Sequence, residues 1–455
     1  MRERSVWISM GLLTVGVSAL LGLRLGGIVV LVITPLLVLA MAGVGRVMSR
    51  PADHDWLTTL IVWGFVAKLA GSGARYYVIR YVYGGGDAYG YYRQGIEFAN
   101  QWRAGNPPSL SGSRGEGTQV TEAIAGVVFA PFVPDLLGGF FLFAALAFFG
   151  QLALYAAFRR WAPTHQLKRF AILILFLPTY VFWPSSIGKD AVMVLGLGIA
   201  AYCVARCMEG YETRWLVGAG LALTGIGFIR VHISALFVGA LLITALVARP
   251  RSQAPGVGLR RLTLIVLLAV AGFLTVNAFQ ARYGTNLLDA GDVESFSESV
   301  VDRTSKGTTV PGGAVTSPAG VPEALVFVLF RPFLWEAREF QILLSALETT
   351  FLLGLLIWKL PAMYRNRKRW RSNSLVVFST FYVLAFSIAF SAIRNLGIIA
   401  RQRTQVVAFL LIVIISLGWD EPQIRKRRST GTSLPVRSEP QELVSIGGSA
   451  GRSSA

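Results

Sequence analysis

The stretch Gly84-Gly85-Gly86-Asp87-Ala88-Tyr89-Gly90-Tyr91-Tyr92-Arg93 sets a carboxylate, three tyrosines and a guanidinium directly behind three glycines. Consecutive glycines let the backbone turn sharply or come close to a ligand. Asp87 is an acceptor with two candidate chemical roles, general base or ligand to a divalent cation. A plainer role is to cap a helix over Ala88 to Trp102. Tyr89, Tyr91, Tyr92 and Trp102 offer flat amphipathic faces. Such faces stack on sugars, and they also form the ordinary aromatic belts of membrane proteins.

Four further polar turns carry charge. They are Trp183-Pro184-Ser185-Ser186-Ile187-Gly188-Lys189-Asp190, Arg230-Val231-His232, Arg331-Pro332-Phe333-Leu334-Trp335-Glu336-Ala337-Arg338 and Arg394 to Arg403. Arginine matches phosphate oxygens two at a time and stays charged. Cationic turns around a carboxylate would suit a phosphate-bearing ligand, and a diphosphate needs two or three such donors. The candidate binding residues are therefore Tyr89, Arg93, Lys189, Asp190, Arg230, His232, Arg331, Glu336, Arg401 and Arg403, with Asp87 as the catalytic candidate. The simpler account of each cation is a helix-end side chain reaching toward lipid headgroups. His232 has proton-shuttling chemistry, or a structural place at a helix end.

Turns act together only if the elements between them bring them to one face. The chain has 455 residues, 54% hydrophobic and 15% charged, where soluble proteins carry about 25% charged residues. Apolar runs lie near 6–23, 27–45, 56–78, 135–158, 168–184, 189–208, 214–230, 232–248, 261–280, 340–360, 374–393 and 404–419. Most approach the roughly 20 residues that cross about 30 Å of hydrocarbon as a helix. The expected fold is all-α, a polytopic membrane bundle of about twelve transmembrane helices.

Arginine and lysine recur on alternate connections, at Arg46 and Arg50, Arg159 to Arg169, Arg206 and Arg214, Arg249 to Arg261, Arg365 to Arg371 and from Arg425. That is the positive-inside pattern, which places both termini in the cytoplasm and all the charged turns above on the outer face. Two outer loops are long, near 79–134 and 281–339, and each ends in a short apolar piece suited to an interfacial helix. The stretch Ser295–Pro318 reads as mobile. Residues 1–419 form the transmembrane domain and 420–455 read as a disordered cytoplasmic tail.

Several functions are excluded. There is no Walker A loop, no dinucleotide fingerprint and no H-E-x-x-H pair. The net charge of +19 follows from topology signals and does not require nucleic acid as partner. Cys203 and Cys207 share one helix face and suit packing, since two thiols alone make no metal site.

The chain resembles the polytopic glycosyltransferases of the GT-C class and the related O-antigen-polymerase-like proteins. The resemblance lies in the acidic, aromatic first loop (Asp87-Ala88-Tyr89), the second long loop and the arginines of the outer turns. The stretches Phe182 to Asp190, Arg331 to Glu336 and Gly397 to Arg403 also look like those of uncharacterised actinobacterial membrane proteins. The acidic loop follows the third predicted span, whereas in GT-C enzymes it usually follows the first; an extra amino-terminal hairpin would produce this. The resemblance implies a bacterial plasma-membrane enzyme taking a sugar or oligosaccharide from a polyprenyl-phosphate donor at the outer leaflet. Asp87 would be base or metal ligand, and Lys189, Arg230, Arg401 and Arg403 would hold phosphate. Lipid-linked glycan and membrane lipids are the implied partners, and a divalent cation is a possible cofactor. A transporter of the same lipid-linked glycan, or a non-catalytic scaffold of an envelope assembly complex, remains the alternative.

Overall fold

The computed structural model describes residues 28–50, 55–106, 116–251, 255–286, 289–304 and 318–419. The predicted span at 6–23, residues 305–317 and the tail from 420 lie outside them. Among the described residues the regular elements are helices and no strand occurs. The chain runs through α1 (Ile28–Ser49), α2 (Asp55–Tyr77, continued by a π-helical turn Val78–Val82), α3 (Asp87–Arg103), α4 (Glu116–Phe129) and α5 (Leu136–Trp161). Next come α6 (Thr164–Phe176), α7 (Pro178–Phe182), α8 (Lys189–Gly210), α9 (Thr213–Val247), α10 (Val257–Tyr283) and α11 (Ala290–Thr304). The last are α12 (Val321–Phe330), α13 (Phe340–Arg365), α14 (Ser374–Phe390), α15 (Leu396–Gln402) and α16 (Val407–Gly418). Seven helices are long and apolar enough to cross a membrane, and α15 with α16 makes an eighth candidate bent by 61°.

By length α9 counts as one helix, but it doubles back. Arg230 has non-helical angles (φ −144°, ψ 86°). Ser234 Oγ donates to the carbonyl of Leu223, 3.0 Å away. Eleven residues of straight helix would separate these groups by roughly 16 Å. Residues on the two sides of Arg230 therefore lie side by side, and Arg230 stands at the tip of a helical hairpin.

Close packing rests on glycine where α5 meets α8. A Cβ at Gly150 would stand 2.3 Å from the Val194 carbonyl oxygen, and one at Gly198 would stand 2.2 Å from that of Gly150. Small residues let apolar helices approach to backbone contact, where dispersion holds them without help from water.

Both long loops are more structured than their polarity suggests. The first holds α3 and α4 side by side and pointing the same way: Gly95 faces Ala125, and Arg103 Nε donates to the Ala130 carbonyl at 2.8 Å. In the second, α11 takes up part of the stretch read as mobile. Phe296 packs on Phe279 and Tyr283 with ring centroids 5.5 and 5.6 Å apart, which holds α11 on the end of α10. The apolar α12 buries Phe327, Val328, Leu329 and Phe330 inside the bundle and does not lie on its surface.

The basic connections gather at one end. Trp161 Nε1 donates to the Ala205 carbonyl, Arg261 to those of Ala245 and Ala248, and the Arg249 amide to that of Arg371. The starts of α3, α4 and α8, the α9 tip and α15 meet at the other end.

Candidate functional site

Asp190 is the centre of that other end. It sits in the first turn of α8, behind Gly188, and is 5% exposed. Arg230 Nη2 donates to its Oδ1 at 3.1 Å, and Arg401 Nε donates to its Oδ2. Arg230 also donates through Nη1 to Gln402 Oε1 at 2.6 Å, and Gln405 Nε2 donates to the same oxygen. The hairpin tip, the start of α8 and α15 are thus joined through charge-assisted bonds, which are shorter and stronger than neutral ones.

Asp87 occupies the first turn of α3. Gly86 precedes it with φ 151°, in the region that favours glycine. Gly86 holds the N-cap position and Asp87 is the first residue of the helix, so Asp87 is not the cap that the sequence suggests. Its side chain is 75% exposed, with Oδ2 4.0 Å from Arg401 Nη1. Arg401 therefore touches two carboxylates, one buried and fully engaged, the other open.

Lys189 Nζ donates to Thr118 Oγ1 at 3.0 Å, which ties α8 to the start of α4. Tyr91, one turn along α3, is buried and shares Thr118. Burial, then the negative charge of Asp87, pushes its phenol up to about 12, so it remains a donor at neutral pH. Arg75, at the end of α2, lies over the rings of Phe182 and Trp183 at 5.2 and 4.9 Å and within the field of Arg401, Asp190 and Asp87. Its Nη1 is 3.5 Å from Gln341 Oε1.

Four cations (Arg75, Lys189, Arg230, Arg401) thus surround two carboxylates, leaving an excess of positive charge. Helix starts add to it, since the amino ends of α3, α4 and α8 all point here and helix dipoles favour anions at that end. The arrangement suits a multiply charged anion beside an open carboxylate. A divalent cation has less to hold it. Asp190 is already committed to arginine, and among the described residues no three His, Cys, Asp or Glu side chains converge.

The remaining candidates fall elsewhere. Tyr89 is half-buried against the core. Arg93 is exposed, six residues beyond Asp87 and so on another face of α3. His232 is half-buried, its ring 5.7 Å from that of Phe390. Arg331 and Glu336 pair with each other, and the Phe333 amide donates to Glu336 Oε2 at 2.8 Å. Burial favours the neutral form of Glu336, but the Arg331 bond and that amide outweigh it and hold the carboxyl below its ordinary range.

Arg403 is not in the cluster, although it stands two residues from Arg401. It is 1% exposed and donates to the Leu329 carbonyl at 3.3 Å, while its Nε and Nη2 have no protein partner. It belongs to a buried polar seam between two broken helices. Glu348 Oε2 accepts from the Thr179 amide at the start of α7, and Lys68 Nζ donates to the Tyr180 carbonyl. The Ala408 amide, at the start of α16, donates to the Tyr180 hydroxyl at 3.0 Å. Backbone groups freed at a helix break need such partners inside an apolar bundle.

Thr118, Gln402 and Glu348 were not among the sequence candidates, and Arg75 stood out only as a cation in the apolar run before the Asp87 loop. Two signals existed: Arg75 is a cation inside an apolar run, and Gln402 lies beside Arg401 and Arg403. No family model, curated protein or solved structure matches the chain.

Proposed function

We propose that this chain is a multi-pass enzyme of bacterial envelope glycan synthesis, transferring sugar from a polyprenyl-phosphate donor at the outer leaflet. The supporting observation is the open carboxylate of Asp87 beside Arg401, at the edge of a cluster with excess positive charge. In this reading Asp87 accepts the proton of an acceptor hydroxyl as that oxygen bonds to the anomeric carbon. The bond from that carbon to the phosphate oxygen breaks, and the phosphate leaves with the electron pair. Lys189, Arg75 and the outer edge of Arg401 stabilise the charge that collects there, the main electrostatic need of such a step.

The proposed topology counts about twelve spans. The two legs of α9, the broken pairs α6–α7 and α15–α16, and α14 are each taken as a crossing, with the run at 6–23 as the first. The basic end then faces the cytoplasm with both termini, and the Asp190 end faces out. A second reading, a transporter of the same lipid-linked glycan, draws support from the broken helices and from Lys68, Glu348 and Arg403 buried between them.

Asp87→Asn tests the enzyme. Asparagine keeps the size and loses the base. Glycan transfer should fall about a hundredfold or more at equal membrane level, the range for removing general-base help. Near-normal product would remove Asp87 from the chemistry and favour the transporter.

A further inference from the structure

The opposite, basic end of the bundle holds an open cleft of about 740 Å³, part charged and part apolar, away from the Asp190 cluster. Arg159, Arg160 and Arg251 line one part of it, and Val47, Ala156 and Tyr202 another. We infer that it binds the headgroup of an anionic phospholipid from the adjoining leaflet.

The charge balance points to an anion. Arg160 donates to both carboxylate oxygens of Glu209, through Nε at 2.7 Å and Nη2 at 2.6 Å, and Arg206 reaches the same carboxylate at 3.8 Å. That uses the one carboxylate of the cavity. Arg159 donates one nitrogen to the Met48 carbonyl at 2.6 Å, and Arg251 donates one to the Arg160 carbonyl at 3.0 Å. Carbonyls orient these two guanidiniums without neutralising them. Arg251 also lies over the Trp161 ring at 5.1 Å, which fixes its plane at the rim. Each of the two keeps further N–H donors, and a planar fork of donors is the partner that a phosphodiester takes best.

The apolar part selects a lipid over free phosphate. Val47 is 63% exposed at the end of α1, and Ala156 and Tyr202 come from α5 and α8. A free phosphate would gain nothing from these groups, whereas the glycerol and first methylenes of a lipid would cover them. Basic pockets between membrane helices at a leaflet surface bind anionic headgroups in this way. The volume lies within the range of ordinary small-molecule sites.

The test uses the full-length protein, purified in detergent, with phosphatidylglycerol titrated against thermal unfolding. The lipid should raise the melting temperature saturably, while phosphatidylcholine and sodium pyrophosphate at the same concentration should not. Arg159→Gln with Arg251→Gln should weaken the half-saturating concentration about tenfold or more, the usual loss for charge-assisted contacts. Arg251→Lys keeps the charge but loses the fork and the ring contact, so it should recover only part of the lost affinity. If the double variant does not elute as folded protein, Arg251→Gln alone carries the test, because that side chain is exposed. Equal stabilisation by phosphatidylcholine would overturn headgroup recognition. Equal stabilisation by pyrophosphate would make it a free-phosphate site. An unchanged titration in the variants would place the lipid elsewhere.

Discussion

At the Asp190 end and along the Glu348 seam, the bundle buries the same residue types in opposite ways. Asp190 is held by two guanidiniums, and each of those has a further polar contact. Glu348 and Arg403 feel each other's charge without forming an ion pair, and each keeps a polar atom without a protein partner. The first region sits where three helices begin and a hairpin turns, so side chains from distant parts of the sequence can point at one spot. The second sits where two helices break, so the nearest partners are backbone groups. A buried charge near a helix end therefore signals a site only where several ends meet.

The sharpest way to break this comparison is at Asp190. Asp190→Leu leaves Arg230 and Arg401 without their shared counter-charge. Removing one member of a buried ion pair costs about 3–5 kcal/mol, because the survivors stay desolvated and uncompensated. The variant should unfold at markedly lower temperature in detergent or fail to accumulate in the membrane. A near-normal melting curve would mean that the two arginines do not depend on Asp190.

Lys189 separates ligand binding from folding at the same spot. Among the described residues its side chain bonds to Thr118 Oγ1, a neutral hydroxyl, so Lys189→Gln should cost little stability. If the cluster grips phosphate, affinity for a polyprenyl-phosphate should fall by roughly ten- to a hundredfold, the value of one charge-assisted contact. Equal affinity in a direct binding titration would reduce the cluster to a structural device.

Glu336 gives a third environment, an ion pair closed on itself near the surface. Its carboxyl is held below the ordinary value of 4.5, so it contributes stability above that value and loses it as pH falls through its folded-state pKa. Glu336→Gln should therefore cost about 1–2 kcal/mol at neutral pH and progressively less on acidification below about pH 4. Unfolding measured across that range checks the sign. A penalty that is constant with pH would show that shape matters there and charge does not.

Much of this was legible in the sequence, for a physical reason. Hydropathy places helix ends, and alternation of crossings places those ends on faces. Asp87, Lys189, Asp190, Arg230 and Arg401, all at such ends, do come together. What hydropathy lacks is phase. A helix that is apolar all round has no polar stripe to say which side faces its neighbours. Arg401 and Arg403, two residues apart at roughly 100° each, point to nearly opposite sides. One entered the cluster and the other the seam. Arg75 was visible as a charge but its direction was not, and Glu348 was hidden for the same reason, each lying within an apolar run whose inward face was unknown. The helix over Ala88 to Trp102 was legible, and so was the apolar end of α4, whereas α11 was hidden by polarity, because its buried side is only a few residues wide.

Arg403→Met should have the smallest effect of all, and it tests the seam most directly. The substitution removes a buried guanidinium that, among the described residues, bonds to the Leu329 carbonyl. The loss of that bond leaves a carbonyl underused, which costs about 1 kcal/mol. Against it stands the relief of burying a charge whose Nε and Nη2 have no protein partner. Arg403 forms no ion pair with Glu348, so its removal costs less than breaking a buried pair such as that of Asp190. Glu348 keeps its bond from the Thr179 amide in either case. The two effects oppose, so the stability change should stay within about 1 kcal/mol, several times less than for Asp190→Leu. A loss as large as at Asp190 would mean that water or an ion joins Arg403 to Glu348 across the seam. The seam would then be a second binding centre, and the transporter reading would gain over the enzyme.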